Sequence, residues 1–275
     1  MGVILVVGDV VDDIGVRPLG RVNAASDTVS EIRMTAGGSA ANVAAWLGHL
    51  GAPVRFVGRV GADAVQRHTD GLAGVDARLS GDPDLPTATI VLTLDDAADR
   101  TMYVDRAANS TLTPEHLDDD VWDDVDWLHL TGYTFFDPAT RPVAETLIAQ
   151  AHDQGAGVSI DPSTWAFLEE VGADVARGWF ADADLYFPNE DEQKLLDLDP
   201  VRTVLTLGAA GARFGDHRIA ADPTDVIDTT GAGDAFCAGF LSVWVDRHDS
   251  TAALEAATRA AAACVTHRGA RPARS

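Results

Sequence analysis

The sequence predicts a three-layer α/β/α fold, with a mostly parallel sheet covered by helices on both faces and a small β-sheet flap beside it. Three observations lead there. Short continuous apolar runs such as "VILVV" (3–7) read as central strands buried on both faces. Such runs alternate with helical patterns, the order that builds a parallel sheet. Two segments, 9–33 and 86–107, break this rhythm.

Taken in order, "VILVV" ends at Gly8, and the polar stretch 9–33 reads as irregular, with Pro18 and Gly20 as breakers. A close-packed helix follows in "GGSAANVAAWLGHLG", where Ala41, Ala44, Ala45, Leu47 and Leu50 suit packing and Gly51 suits the C-terminal cap. "VRFVG" (54–58) is a further strand. "TATIVLTL" (87–94) and "RTMYVD" (100–105) read as a hairpin turning at "DDAAD". The alternation then resumes: helix 139–151, strand "GVSID" (157–161), strand "DLYF" (184–187), helix "EDEQKLL", and strand "TVLTLG" (203–208). Two helices close the chain. The first carries Phe236, Phe240 and Trp244 at i, i+4 and i+8, a core stripe; the second, 252–265, is rich in alanine. The two segments out of rhythm lie where α/β proteins bind ligands, so 10–35 and 86–107 together read as a flap over the site. The whole chain, 1–275, reads as one domain.

Composition narrows the function. A net charge of −23 repels phosphate backbones and anionic lipid, which argues against nucleic acid and membrane as partners. The N-terminal apolar run is far shorter than the ~20 residues of a bilayer span, and no basic segment or cleavage site accompanies it, so a cytoplasmic protein is expected. Cys237 and Cys264 sit among apolar helical neighbours and read as buried free thiols.

The stretch "DTTGAGD" (228–234) carries the chemistry. Two glycines flanking Ala232 at a loop-to-helix junction free backbone amides to converge on an anion, and the helix dipole adds to this. A carboxylate, Asp234, beside an anion site needs a reason: a general base next to a transferring phosphoryl group is one, and a helix cap is the plainer one. A P-loop is excluded because the single lysine, Lys194, lies in "EDEQKLL". A dinucleotide fingerprint is excluded because Phe236 stands where its third glycine belongs. The histidines are scattered without zinc spacing, and His129 in "WLHL" reads as core or site edge.

An ordered set of motifs along nearly the whole chain resembles the ribokinase-like (PfkB) carbohydrate kinases: "GGSAANVA", "VGRVGAD", "GVD", "PTATIVL", "AANSTLTPEHL", "PNEDE", "LTLGAAGA", "DTTGAGDAFCAGF" and "AAAACVTHRGA". The resemblance implies an ATP- and Mg²⁺-dependent kinase acting on a primary hydroxyl of a sugar or sugar-like molecule. It makes Asp234 the base and Gly231, Ala232 and Gly233 the anion hole. Asp13, Gly37, Gly38 and Asn42 become substrate residues, although Asp9 and Asp12 stand close to Asp13. Asn189, Glu192, Thr206, Gly208 and Gly211 border the nucleotide, with Glu192 holding Mg²⁺ mostly through water. Asp228 and Thr230 match a monovalent-cation site, which admits K⁺ as a further cofactor. Each has a plainer reading as well: a tight turn for the glycines, a first-turn polar residue for Asn42, a solvated acidic face for "NEDEQ", loop polarity for Asp228 and Thr230. The chain departs from the family at Val11, where ribokinase-type members carry Asn, and at Ser39, often Lys; both weaken ribose as substrate. Ala107 replaces a usual Gly, and Thr258 stands where some members have an adenine-side Asn. Tyr103 and Arg106 lie where they reach a substrate anion, or are simply exposed hairpin residues. A nucleoside kinase of the same fold and a catalytically silent sugar or nucleotide sensor remain alternatives, and the flap edges allow a homodimer.

Overall fold

The computed structural model describes residues 2–94 and 100–273. Its strands are β1 (Val3–Val7), β2 (Val11–Pro18), β3 (Ser30–Gly37), β4 (Val54–Gly61), β5 (Asp76–Asp82), β6 (Ala88–Leu94), β7 (Arg100–Asp105), β8 (Val125–Thr131), β9 (Gly157–Asp161), β10 (Leu185–Tyr186), β11 (Val204–Thr206), β12 (Ala212–Phe214) and β13 (His217–Ile219). The helices are α1 (Ser39–His49), α2 (Val65–Asp70), α3 (Tyr133–Phe136), α4 (Arg141–Gln154), α5 (Trp165–Val171), α6 (Ala173–Phe180), α7 (Glu190–Leu196), α8 (Ala232–Arg247) and α9 (Ser250–Val265).

The central sheet runs β10-β9-β8-β1-β4-β5 with parallel pairings throughout. β1 is apolar without alternation because both its faces are covered. Ile4 and Val6 pack into one core, with Trp46 of α1 and Phe240 of α8; Leu5 and Val7 pack into the other, with Leu147 of α4 and Phe180 of α6. The three-layer prediction is borne out. Sheet order places β8 and β4 on either side of β1, so the chain leaves β1 in opposite directions, and the crevice at the strand C-termini opens there. Asp9 follows β1, Thr131 ends β8 and Asp161 ends β9 at that edge.

A second sheet, β3-β2-β6-β7, forms the flap. Here the sequence reading needs correction: 9–33 is not irregular but holds β2 and the first half of β3, paired antiparallel from Val11↔Gly37 to Pro18↔Ser30. Pro18 is accommodated as the last residue of β2, beyond the β6 pairing that ends at Val16. The 87–94 and 100–105 hairpin is present as β6 and β7, and its turn "DDAAD" lies outside the described residues. Strand 203–208 is also corrected. Only Val204–Thr206 is extended; it pairs with β12, which pairs with β13, in a small antiparallel sheet that touches the main sheet through a Tyr186–Thr203 bridge. The helix expected over 139–151 spans Arg141–Gln154, started by Pro142 and ended by Gly155 at φ 75.

Outside the cavity, β2 is tied to the core by an ion pair in which Arg67 of α2 donates to both oxygens of Asp12, at 2.6 and 2.8 Å. His129 is fully buried and its Nδ1 lies 2.9 Å from Ser159 Oγ; burial lowers its pKa to about 3, so it is a neutral core residue. Both cysteines are free and buried.

Candidate active site

Between the flap and the C-terminal edge of the main sheet lies a cavity of about 1590 Å³. It is lined by most of the expected site residues, from Asp13 and Asn42 at one end to Thr206, Gly208 and Gly211 at the other.

Asp234 is the third residue of α8, in a first turn that begins at Gly231 with φ 78. A side chain on Gly231 would press on Ala270 at 2.5 Å, so only glycine suits both the backbone and the space. Among the described residues no side chain caps this helix, and its dipole faces the cavity. The Ala232 amide donates to the Thr229 carbonyl at 3.3 Å, which closes the turn. Both Asp234 oxygens are held: Ser39 Oγ donates to Oδ1 at 2.7 Å and Asn42 Nδ2 to Oδ2 at 2.9 Å. Burial raises its pKa to about 6, against these two hydrogen bonds.

Ser39 was not expected in this role; it opens α1, and its hydroxyl meets Asp234 because α1 packs beside α8. Asn42 is buried, and its Oδ1 accepts from Arg271 Nε at 3.3 Å, so in this structure it braces Asp234. Arg271 is another residue the sequence reading missed. Its Nη2 donates to the Gly37 carbonyl at 3.0 Å, while Nη1 is buried with no partner among the described residues. Burial lowers its pKa to about 10, leaving it charged among Asp13, Asp9 and Asp234.

The three N-terminal carboxylates separate. Asp9 accepts from the Ser39 and Ala40 amides at 2.7 and 3.1 Å and so caps α1. Asp12 faces Arg67. Asp13 faces the cavity, and its pKa is raised to about 7 by burial first and then by Asp9. Gly37 lies against the Asp13 carboxylate, which any side chain there would strike, and Gly38 at φ 97 lies against the Asp9 backbone.

At the other end, Asn189 and Glu192 form a reciprocal capping box on α7. Asn189 Oδ1 accepts from the Glu192 amide, and Glu192 Oε2 from the Asn189 amide, both at 2.9 Å. The N-x-x-E spacing is itself a helix-start signal. Glu192 is 3% exposed, so it is no solvated face, whereas its neighbour Asp191 is exposed. Asp161, at the end of β9, is the third missed residue. Its pKa is raised by burial and by repulsion from Glu192 and Asp234. Glu192 is raised as well, chiefly by burial. Among the described residues neither carboxylate forms an ion pair, a donor set that fits a hard divalent cation. No cluster of three metal-ligating side chains occurs among the described residues; Mg²⁺ does not need one when waters and phosphates complete its shell.

Thr206 donates to the Pro188 carbonyl at 3.3 Å, and Gly208 (φ 53) and Gly211 (φ 95) shape the loop between β11 and β12. Thr258 lines the cavity, but its hydroxyl turns back to the Leu254 carbonyl at 3.1 Å. Asp228 accepts from the Thr230 amide and hydroxyl at 3.0 and 2.7 Å and from the Gly269 amide at 3.2 Å, bracing two loops behind the α8 N-terminus. Tyr103 is 61% exposed and does not line the cavity. Arg106 does line it, though its Nη2 is bound to the Tyr133 carbonyl at 2.7 Å.

Known proteins share this architecture. The chain is 32% identical to an ATP-dependent ribose-1-phosphate kinase of Halopiger xanaduensis over 88% of this chain and 84% of the relative. It is 29% identical to a fructokinase of Escherichia coli over 85% and 87%. An E. coli structure holding ATP and Mg²⁺ superposes with a TM-score of 0.84 at 21% identity, covering 98% of this chain and 94% of that one. Adenosine kinase from Sinorhizobium meliloti gives 0.82 at 22%, over 98% and 96%. The family description "pfkB family carbohydrate kinase" matches residues 1–275, and the chain belongs to that family.

Proposed function

We propose that this kinase transfers the γ-phosphoryl group of ATP to a primary hydroxyl of a sugar or sugar-like molecule, with Asp234 as general base and residues 231–233 as the anion hole. The observation that carries this is the Asp234 carboxylate, held at both oxygens by Ser39 and Asn42 at the uncapped N-terminus of α8. A base with a pKa of about 6 is ionised at neutral pH and accepts the proton of the attacking hydroxyl. The new O–P bond forms as the bond to ADP breaks, while the α8 amides and dipole meet the charge on the phosphoryl oxygens. Asp13 orients the acceptor, and Asn189, Thr206, Gly208 and Gly211 border the nucleotide. Asp161 and Glu192 hold Mg²⁺, which neutralises phosphate charge when bound. The flap keeps water from the reacting group.

A monovalent cation such as K⁺ beside Asp228 and Thr230 belongs to the same reading, as does pairing of two flaps in a homodimer. Ile32 and Met34, on the flap, are 63% and 67% exposed. Exchanging KCl for tetramethylammonium chloride tests the first; light scattering of wild type and Met34→Asp tests the second.

The kinase reading is tested by coupled ADP release across D-ribose, D-fructose, ribose 1-phosphate and adenosine. The nucleoside is included because Ile90, Leu92 and Val104 give the cavity an apolar wall that fits a flat base. Acceptor-dependent ADP release supports the reading. Binding of these compounds without turnover of any overturns it in favour of a silent sensor.

A further inference from the structure

The flap has a gap that the fold does not explain. Gly15 sits in the interior of β2, between Arg33 on β3 and Leu92 on β6, and lines the cavity. It is not among the positive-φ glycines, and a Cβ there would meet nothing nearer than the Arg33 carbonyl oxygen at 4.0 Å. Neither backbone nor packing therefore requires glycine. A strand-interior glycine weakens a sheet and marks a place where a ligand or another backbone comes close. No other backbone comes close here.

Cations gather around this gap. β2–β3 register pairs Gly15 with Arg33 and Arg17 with Glu31, and paired residues share a face, here the cavity face. Arg268 reaches the same place from the loop after α9. All three guanidinium groups meet the single Glu31 carboxylate: Arg33 in direct contact, Arg268 at 3.5 Å and Arg17 at 3.9 Å. Three cations against one anion leave positive charge in excess, in a chain whose net charge is −23. Each of the three remains more than half exposed, so donors are available to an incoming oxyanion.

We infer that the acceptor is a sugar already carrying a phosphate group, which lies over Gly15 against Arg17, Arg33 and Arg268 while the free hydroxyl lies at Asp13 and Asp234. Asp13 and Gly15 stand two strand positions apart, about 7 Å, a distance that one sugar ring and its substituents span. The assignment rests on the kinase reading of the same cavity.

The test compares matched acceptors, D-ribose with D-ribose 1-phosphate and D-fructose with D-fructose 1-phosphate, plus D-gluconate as a carboxylate control. Rates are measured on wild type, Arg33→Gln, Arg17→Gln and Gly15→Val, with melting temperatures confirming that each variant is folded. The expected result is a kcat/KM at least ~10-fold higher for the phosphorylated member of a pair. Arg33→Gln and Arg17→Gln each lower that value ~10-fold, with the KM for ATP unchanged, and Gly15→Val blocks the acceptor. Preference for the neutral member, preference for gluconate, or equal loss on both members in the arginine variants overturns the inference and leaves the kinase reading standing. If no acceptor turns over, calorimetry decides. Arginine-dependent binding of ribose 1-phosphate keeps the anion pocket while the kinase reading falls; no binding removes the pocket.

Discussion

Asp234 and Asp13 both sit well above the ordinary carboxylate range, at about 6 and about 7, and burial is the main cause in each. A base must be unprotonated, so kcat/KM rises with pH through 6–7 and levels off above; a steady-state pH profile checks this. Stability runs the other way. A carboxylate whose folded pKa is raised contributes stability below its unfolded value, near 3.8, and loses it as pH rises through the folded pKa. Asp13→Asn therefore raises the melting temperature at pH 8 by a few degrees, the scale of about 1 kcal/mol in a chain of this size, and leaves it unchanged at pH 4. Asp12 behaves oppositely: Arg67 and His68 hold its carboxyl far below the usual range, so its contribution is lost only in strong acid. Asp234 and the glycines of "DTTGAGD" were readable because the whole motif lies within seven consecutive residues. Ser39, Asp161 and Arg271 were not, since each meets Asp234 from a distant segment: Ser39 through α1–α8 packing, Asp161 from the end of β9 and Arg271 from the loop after α9.

Phe240 shows what holds α8, and with it Asp234, in place. The side chain is fully buried, meets Phe187 and Phe214 edge-on at 5.4 and 5.5 Å, and stacks on Trp244 at 5.5 Å. Truncation to alanine removes these contacts and leaves a cavity, so Phe240→Ala costs about 3–5 kcal/mol of stability, measured by urea unfolding. This stripe was legible from its i, i+4 spacing, and the buried strands from their unbroken apolar runs. β2 was not. Asp13, Gly15 and Arg17 line the cavity, and Asp12 points away from it to Arg67, so charged residues and a glycine interrupt the hydrophobic signal and read as breakers. The capping box of α7 was written in "NEDE" as a helix start, and the same side chains read as phosphate and metal residues, the roles proposed for them above.

At the scale of the molecule, 43 acidic residues against 20 basic ones load the folded state with self-repulsion. Salt relieves it: the screening length shrinks from about 10 Å at 0.1 M to about 3 Å at 1 M. The melting temperature therefore rises between these concentrations of NaCl, followed by calorimetry, and a flat or falling curve would show that local pairs such as Arg59–Asp82 outweigh the net charge. The acidic surface also makes the arginines of the flap stand out, since they face the cavity where the rest of the chain offers carboxylates. The most direct test of the account as a whole is the turnover of Asp234→Asn on the best acceptor, with ATP affinity measured on the same protein. The account predicts a kcat at least ~10²-fold below wild type with ATP binding preserved; a kcat near the wild-type value would contradict it.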